Sequence, residues 1–350
     1  MAALVSKITA IGGGATRCPS GEEFSSSFVS LFHNAAVSID MADLIENMRA
    51  SSDMALWEQT VLQTIRDDGS DGNTKKQIVA ERVEVTWRLS RDQDAGCDAA
   101  LFGGADSFLV FERLLSVLAN IKSLHRLECS NMPRCPEVFS ALATVLPTFH
   151  DLKWFGMLKS VELKKTNGQD GSLFDQGCWE RLFDAFTRCP QLATVDLDDN
   201  AIRWEVAEQL ALRIPNVKEL QHLILSNNPV SDTGVYYLCQ HALNELDTKI
   251  RILALGQCEI GDCGIQELCL CLRNNNHRLQ RIFLYSNTFQ YSSPFREELT
   301  FWIDANCRGR AIMRRDDTPP SIFPHVLARA GRNHNLMHAL LTELPHKWSK

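Results

Sequence analysis

The sequence predicts an α/β fold built as a solenoid, in which short strands and helices alternate through a stacked series of similar units. Two observations carry this expectation. One is an internal repeat: LQHLILSNNPVSDTGVYYLCQHALNELDTK from Leu220 is followed by IRILALGQCEIGDCGIQELCLCLRNNNHR from Ile250. Leu220, Leu223, Leu225, Asn228, Val230, Gly234 and Leu238 align without a gap on Ile250, Leu253, Leu255, Cys258, Ile260, Gly264 and Leu268. The other is spacing, since units starting at Leu192, Leu220, Ile250 and Leu279 lie 28, 30 and 29 residues apart. A near-constant period of this length marks units that bury their apolar faces against their neighbours.

Within each copy the first half is apolar at alternate places, the period of a short strand with one buried face. The second half changes to helical spacing, with Gly234, Leu238 and Ala242, and likewise Gly264, Leu268 and Leu272, along one side of a helix. These residues resemble the leucine-rich repeats, and specifically the long ribonuclease-inhibitor-like class, whose motif reads LxxLxLxxNxLxxxGxxxLxxxL. The resemblance implies a horseshoe with a parallel sheet on its concave side and helices outside. It also gives Asn228 and Cys258 a task, hydrogen-bonding turn backbone groups that would otherwise be buried and unpaired.

Taken in order, residues 1–78 depart from the repeat and read as a mostly helical segment. Ile8–Gly14 suits a short strand and turn, and Glu22–Phe32 and Met41–Ile65 have helix-like apolar spacing. Gly12–Gly14 lacks the GK[ST] ending of a phosphate loop and reads as a turn. The repeats occupy 79–307. Val83, Val85 and Trp87 alternate in a first unit with a helix around Phe108–Leu118; Leu124, Leu127 and Cys129 open the next, with Asn131 one place early and a helix through Val138, Leu142 and Val145. Leu152, Phe155 and Met157 begin a unit in which Ser160 replaces the turn asparagine. There Lys164–Gly177 reads as a loop inserted before a helix with Leu182 and Phe186. In the unit from Leu192, Val206 stands where the motif has glycine, and the last unit, from Leu279, looks irregular around Pro294. Residues 308–350 then supply a C-terminal cap of two short helices, about Pro320–Ala330 and Asn335–Glu343. This tail is similar to that of some leucine-rich-repeat proteins of algae and other stramenopiles.

Composition narrows the functional classes. An apolar content of 45% with 23% charged residues suits a folded chain with a large core, and the longest apolar runs are far shorter than a bilayer helix requires. Lys7 interrupts the weakly apolar start, so no secretory signal is expected and the chain reads as cytoplasmic. The twelve cysteines are spread through the repeats as small buried hydrophobes, which predicts free thiols; a zinc site from Cys258, Cys263, Cys269 and Cys271 is the sharper alternative, without paired CxxC spacing. The net charge of −7 argues against nucleic acid as a partner. Residues 308–350 nonetheless hold eight Lys and Arg against three Asp and Glu, leaving −12 to the remainder.

No catalytic signature, cofactor motif or metal-ligand set is present: GxSxG, HExxH and the kinase set are all missing, and His334 and His338 flank an asparagine where a metalloprotease has glutamate. The expectation is a non-enzymatic interaction module or scaffold subunit that binds a partner protein, either transiently or within a larger assembly. The alternative is a regulatory subunit resembling the GTPase-activating members of the family. Strand geometry places the binding residues, because in LxxLxL the leucines face the core and the residues between them face the concave side. That selects Trp154, Asp196, Asp198, His222, Ile224, Ile252, Arg281, Phe283 and Tyr285, acidic in the middle and apolar towards the C-terminus. The chain's own termini folding over the apolar part is the competing expectation.

Overall fold

The computed structural model describes residues 9–10, 36–40, 82–86, 105–119, 124–162, 172–244, 248–289, 294–315 and 318–343. They fall into two compact units, Met1–Asn200 and Ala201–Lys350. The helical readings of Glu22–Phe32 and Met41–Ile65, and the Gly12–Gly14 turn, lie outside the described residues.

In the first unit β1 (Thr9–Ala10) runs antiparallel to β2 (Ala36–Asp40), and β2 runs parallel to β3 (Arg82–Thr86). Helix α1 (Ala105–Leu118) follows, then β4 (Arg126–Ser130), a two-residue β5 (Pro133–Arg134) and α2 (Pro136–Val145). Next come β6 (Trp154–Leu158), a short β7 (Val161–Glu162), α3 (Ser172–Thr187) and β8 (Thr194–Asp196). The main sheet of this unit is ordered β1-β2-β3-β4-β6-β8, parallel after the first pair, and β5 pairs with β7 beside it. Strand β2 was not read from the sequence, because its single alternating run, AVSID, has no copy at repeat distance. Helix α3 begins inside the stretch read as an inserted loop, so Ser172–Gly177 are helical. Its Trp179, Leu182, Phe183 and Phe186 are buried; Trp179 meets Phe139 edge-on at 4.8 Å, and Phe186 lies 5.4 Å from Phe155.

The second unit begins with α4 (Trp204–Arg213) and β9 (His222–Ile224). Helix α5 (Ser231–Tyr237) widens into a π-turn segment at Leu238–Leu243, followed by β10 (Ile252–Ala254), α6 (Asp262–Asn274) and β11 (Arg281–Phe283). The three strands are parallel, with His222, Ile252 and Arg281 in register. Leu223, Leu225, Leu253 and Leu255 are fully buried on the helix-covered face, and alternate residues point to the opposite, open face. Helix α7 (Pro294–Cys307) completes the last unit. Pro294 starts it instead of breaking it, since a first-turn proline loses an N–H that the helix would not have used.

Two periodic features hold the strands in place. In the second unit the Asn228 amide donates to the Leu225 and Ser226 carbonyls while its oxygen accepts from Ile202 N–H at 2.9 Å. Asn287 repeats this, donating to Leu255 and Leu284 and accepting from Cys258 and Ile260. Cys258 donates its thiol to Leu225 O but offers no comparable acceptor, and Val230 N–H turns to Asn228 O instead. Asn200 makes the equivalent bonds in the first unit, to Met157 O and Asp198 O. The residue before each such place is left-handed without being glycine: Asn131, Lys159, Asp199, Asn227, Gln257 and Ser286 have φ between 52° and 58°. Asn131 is therefore not a displaced ladder residue. It fills the left-handed place, which asparagine tolerates, and buried Met132 occupies the ladder place.

The end of the second unit is closed by α8 (Arg310–Met313), α9 (Phe323–Ala328) and α10 (His334–Thr342). Ala305, Met313, Val326, Ala330, Leu336 and Leu340 form their core, with Trp302 and Phe301 against it. Arg310, 2% exposed, ties this cap to the repeats. Its guanidinium donates to the Leu272 and Arg273 carbonyls at the C-terminal end of α6, pairs with Glu343 at 2.6 Å, and lies 4.4 Å above the Trp302 ring. A cation there meets the negative end of the helix dipole and satisfies carbonyls the helix leaves open.

Candidate protein-binding face

On the first unit, register places Arg126 beside Trp154 and Thr194, and Glu128 beside Gly156 and Asp196. The Trp154 ring lies over Gly156, where a Cβ would collide with it, and the Arg126 guanidinium stacks on that ring 3.7 Å from its centroid. The same guanidinium bonds Glu128 at 3.1 Å, leaving Glu128 only 7% exposed. Asp196 is half-buried, and its pKa is pushed up to about 6, first by burial and then by the neighbouring Asp198 and Glu128 charges. A hydrogen bond from Asp198 N–H and the Arg126 charge work in the other direction without cancelling the rise. Trp154, Asp196 and Asp198 thus share this face, as the spacing implied, but each is partly covered and Trp154 is engaged by its own chain.

On the second unit His222 and Ile224, Ile252 and Ala254, and Arg281 and Phe283 stand side by side along three strands. Ala254 is buried, and Ile224 and Ile252 are half-buried. Phe283 and Tyr285 keep 45% and 52% of their surface exposed. Tyr285 lies across Gly256, where any side chain would strike its ring. The pKa of His222 is lowered by burial and then by the Arg251 charge, so His222 is neutral at physiological pH. The structure adds residues that reading alternate strand places overlooked. Ser226 accepts from Gly256 N–H beneath the face, and Arg251 and Arg278 are exposed at its near edge. For Arg251 the available signal was a cation at the second motif place.

The ten described cysteines form no disulfide, eight of them are buried, and burial raises the pKa of Cys129, Cys135, Cys189 and Cys269 above the usual thiol range. Among the described residues no group of three or more His, Cys, Asp or Glu is arranged to hold a metal ion, and no helix is long and apolar enough to cross a membrane.

Residues 219–239 and 247–269 match the family model described as Leucine Rich repeat. The human NACHT, LRR and PYD domains-containing protein 7 is 32% identical over 123 residues, which cover 35% of this chain and 12% of that protein. Ribonuclease inhibitor of Sus scrofa is 37% identical over 85 residues, 24% of this chain and 18% of the inhibitor. The chain therefore spans less than a fifth of the length of these curated relatives. Among solved structures, the tropomodulin C-terminal domain of Caenorhabditis elegans superposes with a TM-score of 0.38 at 14% identity, covering 48% of this chain and 93% of that one. An internalin from Listeria monocytogenes gives a TM-score of 0.22 at 12% identity, covering 74% and 92%. With the motif, the parallel strands, the flanking helices and the asparagine bonds in place, the repeats of this chain are leucine-rich repeats of the ribonuclease-inhibitor-like class.

Proposed function

We propose that this chain is a non-enzymatic interaction module, or a scaffold subunit, that binds a partner protein on the open face of its second unit. Leucine-rich repeats generally mediate protein–protein interaction, and the observation that carries the reading is the outward pair Phe283 and Tyr285. Two large aromatic side chains about half exposed on a sheet whose turns are tied by Asn228 and Asn287 form a preorganised apolar surface, and aromatic residues of this kind supply most interface hot spots. Ile224 and Ile252 extend that surface, with His222 and Arg281 at its margin. Trp154, Asp196 and Asp198 offer a second, acidic contact area on the first unit. The buried thiols without disulfides among the described residues support a reducing compartment, the cytoplasm.

The test is to co-purify the tagged chain at native salt, identify the stoichiometric partner by mass spectrometry, and measure its affinity for wild type and for Phe283→Ala with Tyr285→Ala. Binding should weaken by about 2 kcal/mol or more, roughly thirtyfold, with the melting temperature nearly unchanged. Unchanged affinity would move the site elsewhere on the chain.

A further inference from the structure

The chemistry around the aromatic pair specifies what kind of segment it receives. Arg281 and Phe283 lie on the open side of β11, roughly 7 Å apart, Tyr285 follows in the turn two residues beyond, and all three are exposed. Arg251 immediately precedes Ile252, the register neighbour of Arg281, and the Gln280 and Arg281 N–H groups both donate to the Arg251 carbonyl. Arg278 is exposed three residues before Arg281. Among the described residues none of these three guanidiniums has a hydrogen-bond or ion-pair partner, whereas the nearby carboxylates are already used. Glu219 pairs with Lys249 at 2.7 Å, and Asp304 accepts two bonds from Arg308 at 3.0 Å. The patch therefore combines cations that have no partner among the described residues with exposed aromatic surface, and the Tyr285 ring is seated over Gly256 beside buried Ala254.

Resting on the proposed role of this face, we infer that the partner presents an acidic, apolar segment: carboxylates against Arg251, Arg278 and Arg281, and aliphatic or aromatic side chains two to four residues away against Phe283 and Tyr285. In an extended segment alternate residues repeat at the same distance as Arg281 and Phe283, so one carboxylate and one apolar residue two places apart reach both. The guanidinium fork matches a carboxylate in two-point geometry, and an unpaired arginine loses less hydration than a lysine on contact. Single-stranded nucleic acid also suits cations and rings in general, but the chain's net charge of −7 opposes a polyphosphate, and a few carboxylates meet that repulsion far less.

Three fluorescein-labelled probes decide this on the full chain by anisotropy: a twelve-residue peptide alternating Glu with Leu and Phe, the same peptide with Lys for Glu, and an oligo-thymidine of equal length. The Glu peptide should bind at least about tenfold more tightly than the Lys peptide, lose that advantage in Arg251→Glu with Arg281→Glu, and lose most binding in Phe283→Ala with Tyr285→Ala. All four side chains are solvent-facing, so unchanged far-UV dichroism and melting temperature accompany the loss. Equal binding of both peptides, abolished by the aromatic substitutions, would retain the face as a binding site and overturn its acidic preference. No binding of the Glu peptide up to about 1 mM, a ceiling near 4 kcal/mol, or preference for the oligonucleotide, would overturn the inference as well.

Discussion

The open faces of the two units use one backbone arrangement to present opposite chemistry. Residues 1–200 hold 19 Lys and Arg against 28 Asp and Glu, net −9, while residues 201–350 hold 17 against 15, net +2. Each face lays an aromatic ring over a glycine, Trp154 over Gly156 and Tyr285 over Gly256. Trp154 is clamped by Arg126, which also satisfies Glu128, so that face is largely settled within its own chain. Among the described residues Tyr285 and Phe283 have no such clamp, and the guanidiniums of Arg251, Arg278 and Arg281 have no partner. What separates the two is not the presence of aromatic or charged residues but how many of their interactions are already made.

The largest effect that would break this comparison comes from the cap that holds the second unit closed. Replacing Arg310 by Met removes the donors to the Leu272 and Arg273 carbonyls and half of the Glu343 interaction, and should cost about 3–5 kcal/mol, read as an earlier urea transition. A midpoint within 0.5 M of wild type would show the cap to be held by its apolar core alone.

The clamp itself provides the next test. Trp154→Ala loses a half-buried ring and the stacked guanidinium and should destabilise by about 2 kcal/mol, whereas Tyr285→Ala should stay within about 0.5 kcal/mol. Equal costs in denaturant unfolding would erase the distinction between a settled face and an available one.

Asp196 sharpens the comparison through pH. Its folded pKa of about 6 lies above the ordinary 3.8, so the folded state holds the extra proton between those values. This group therefore favours folding most below about pH 4 and progressively disfavours it as pH rises through 6. Asp196→Asn should stabilise the protein by about 1–2 kcal/mol at pH 7 and by little at pH 4, after allowing for its partial exposure. Equal stabilisation at both values in urea titrations would remove the burial explanation.

The smallest effect concerns the turns that both faces share. Gln257 has φ 53° where glycine is at ease, so Gln257→Gly should gain about 0.5–1 kcal/mol if relief of the left-handed strain exceeds the added freedom of the unfolded chain. A loss in calorimetry would mean the Gln257 side chain stabilises the turn more than its backbone strains it.

Much of this was legible in the amino-acid order. Leu220, Leu223 and Leu225 recur as Ile250, Leu253 and Leu255 because every copy must bury the same strand face against the same helix side, and all six are buried as their spacing required. Asn228 and Asn287 carried their role openly, since a buried turn needs a side chain that both donates and accepts. The same alternation placed Phe283 and Tyr285 outside the core. Strand β2 was not legible, because one unrepeated run of five residues carries no period, and Arg310 looked like one charge in a basic tail.

The sequence by itself determined the repeat, its phase, the buried leucines and the outward column Arg281–Phe283–Tyr285, because these follow from local periodicity applied copy by copy. Only the tertiary structure decided that Arg126 covers Trp154, that Arg310 turns inward onto the end of α6, and that Arg251 and Arg281 find no partner among the described residues. A long charged side chain can reach any of several partners from one backbone position. Which one it takes depends on groups brought close from distant parts of the chain, and no period in the sequence encodes that choice.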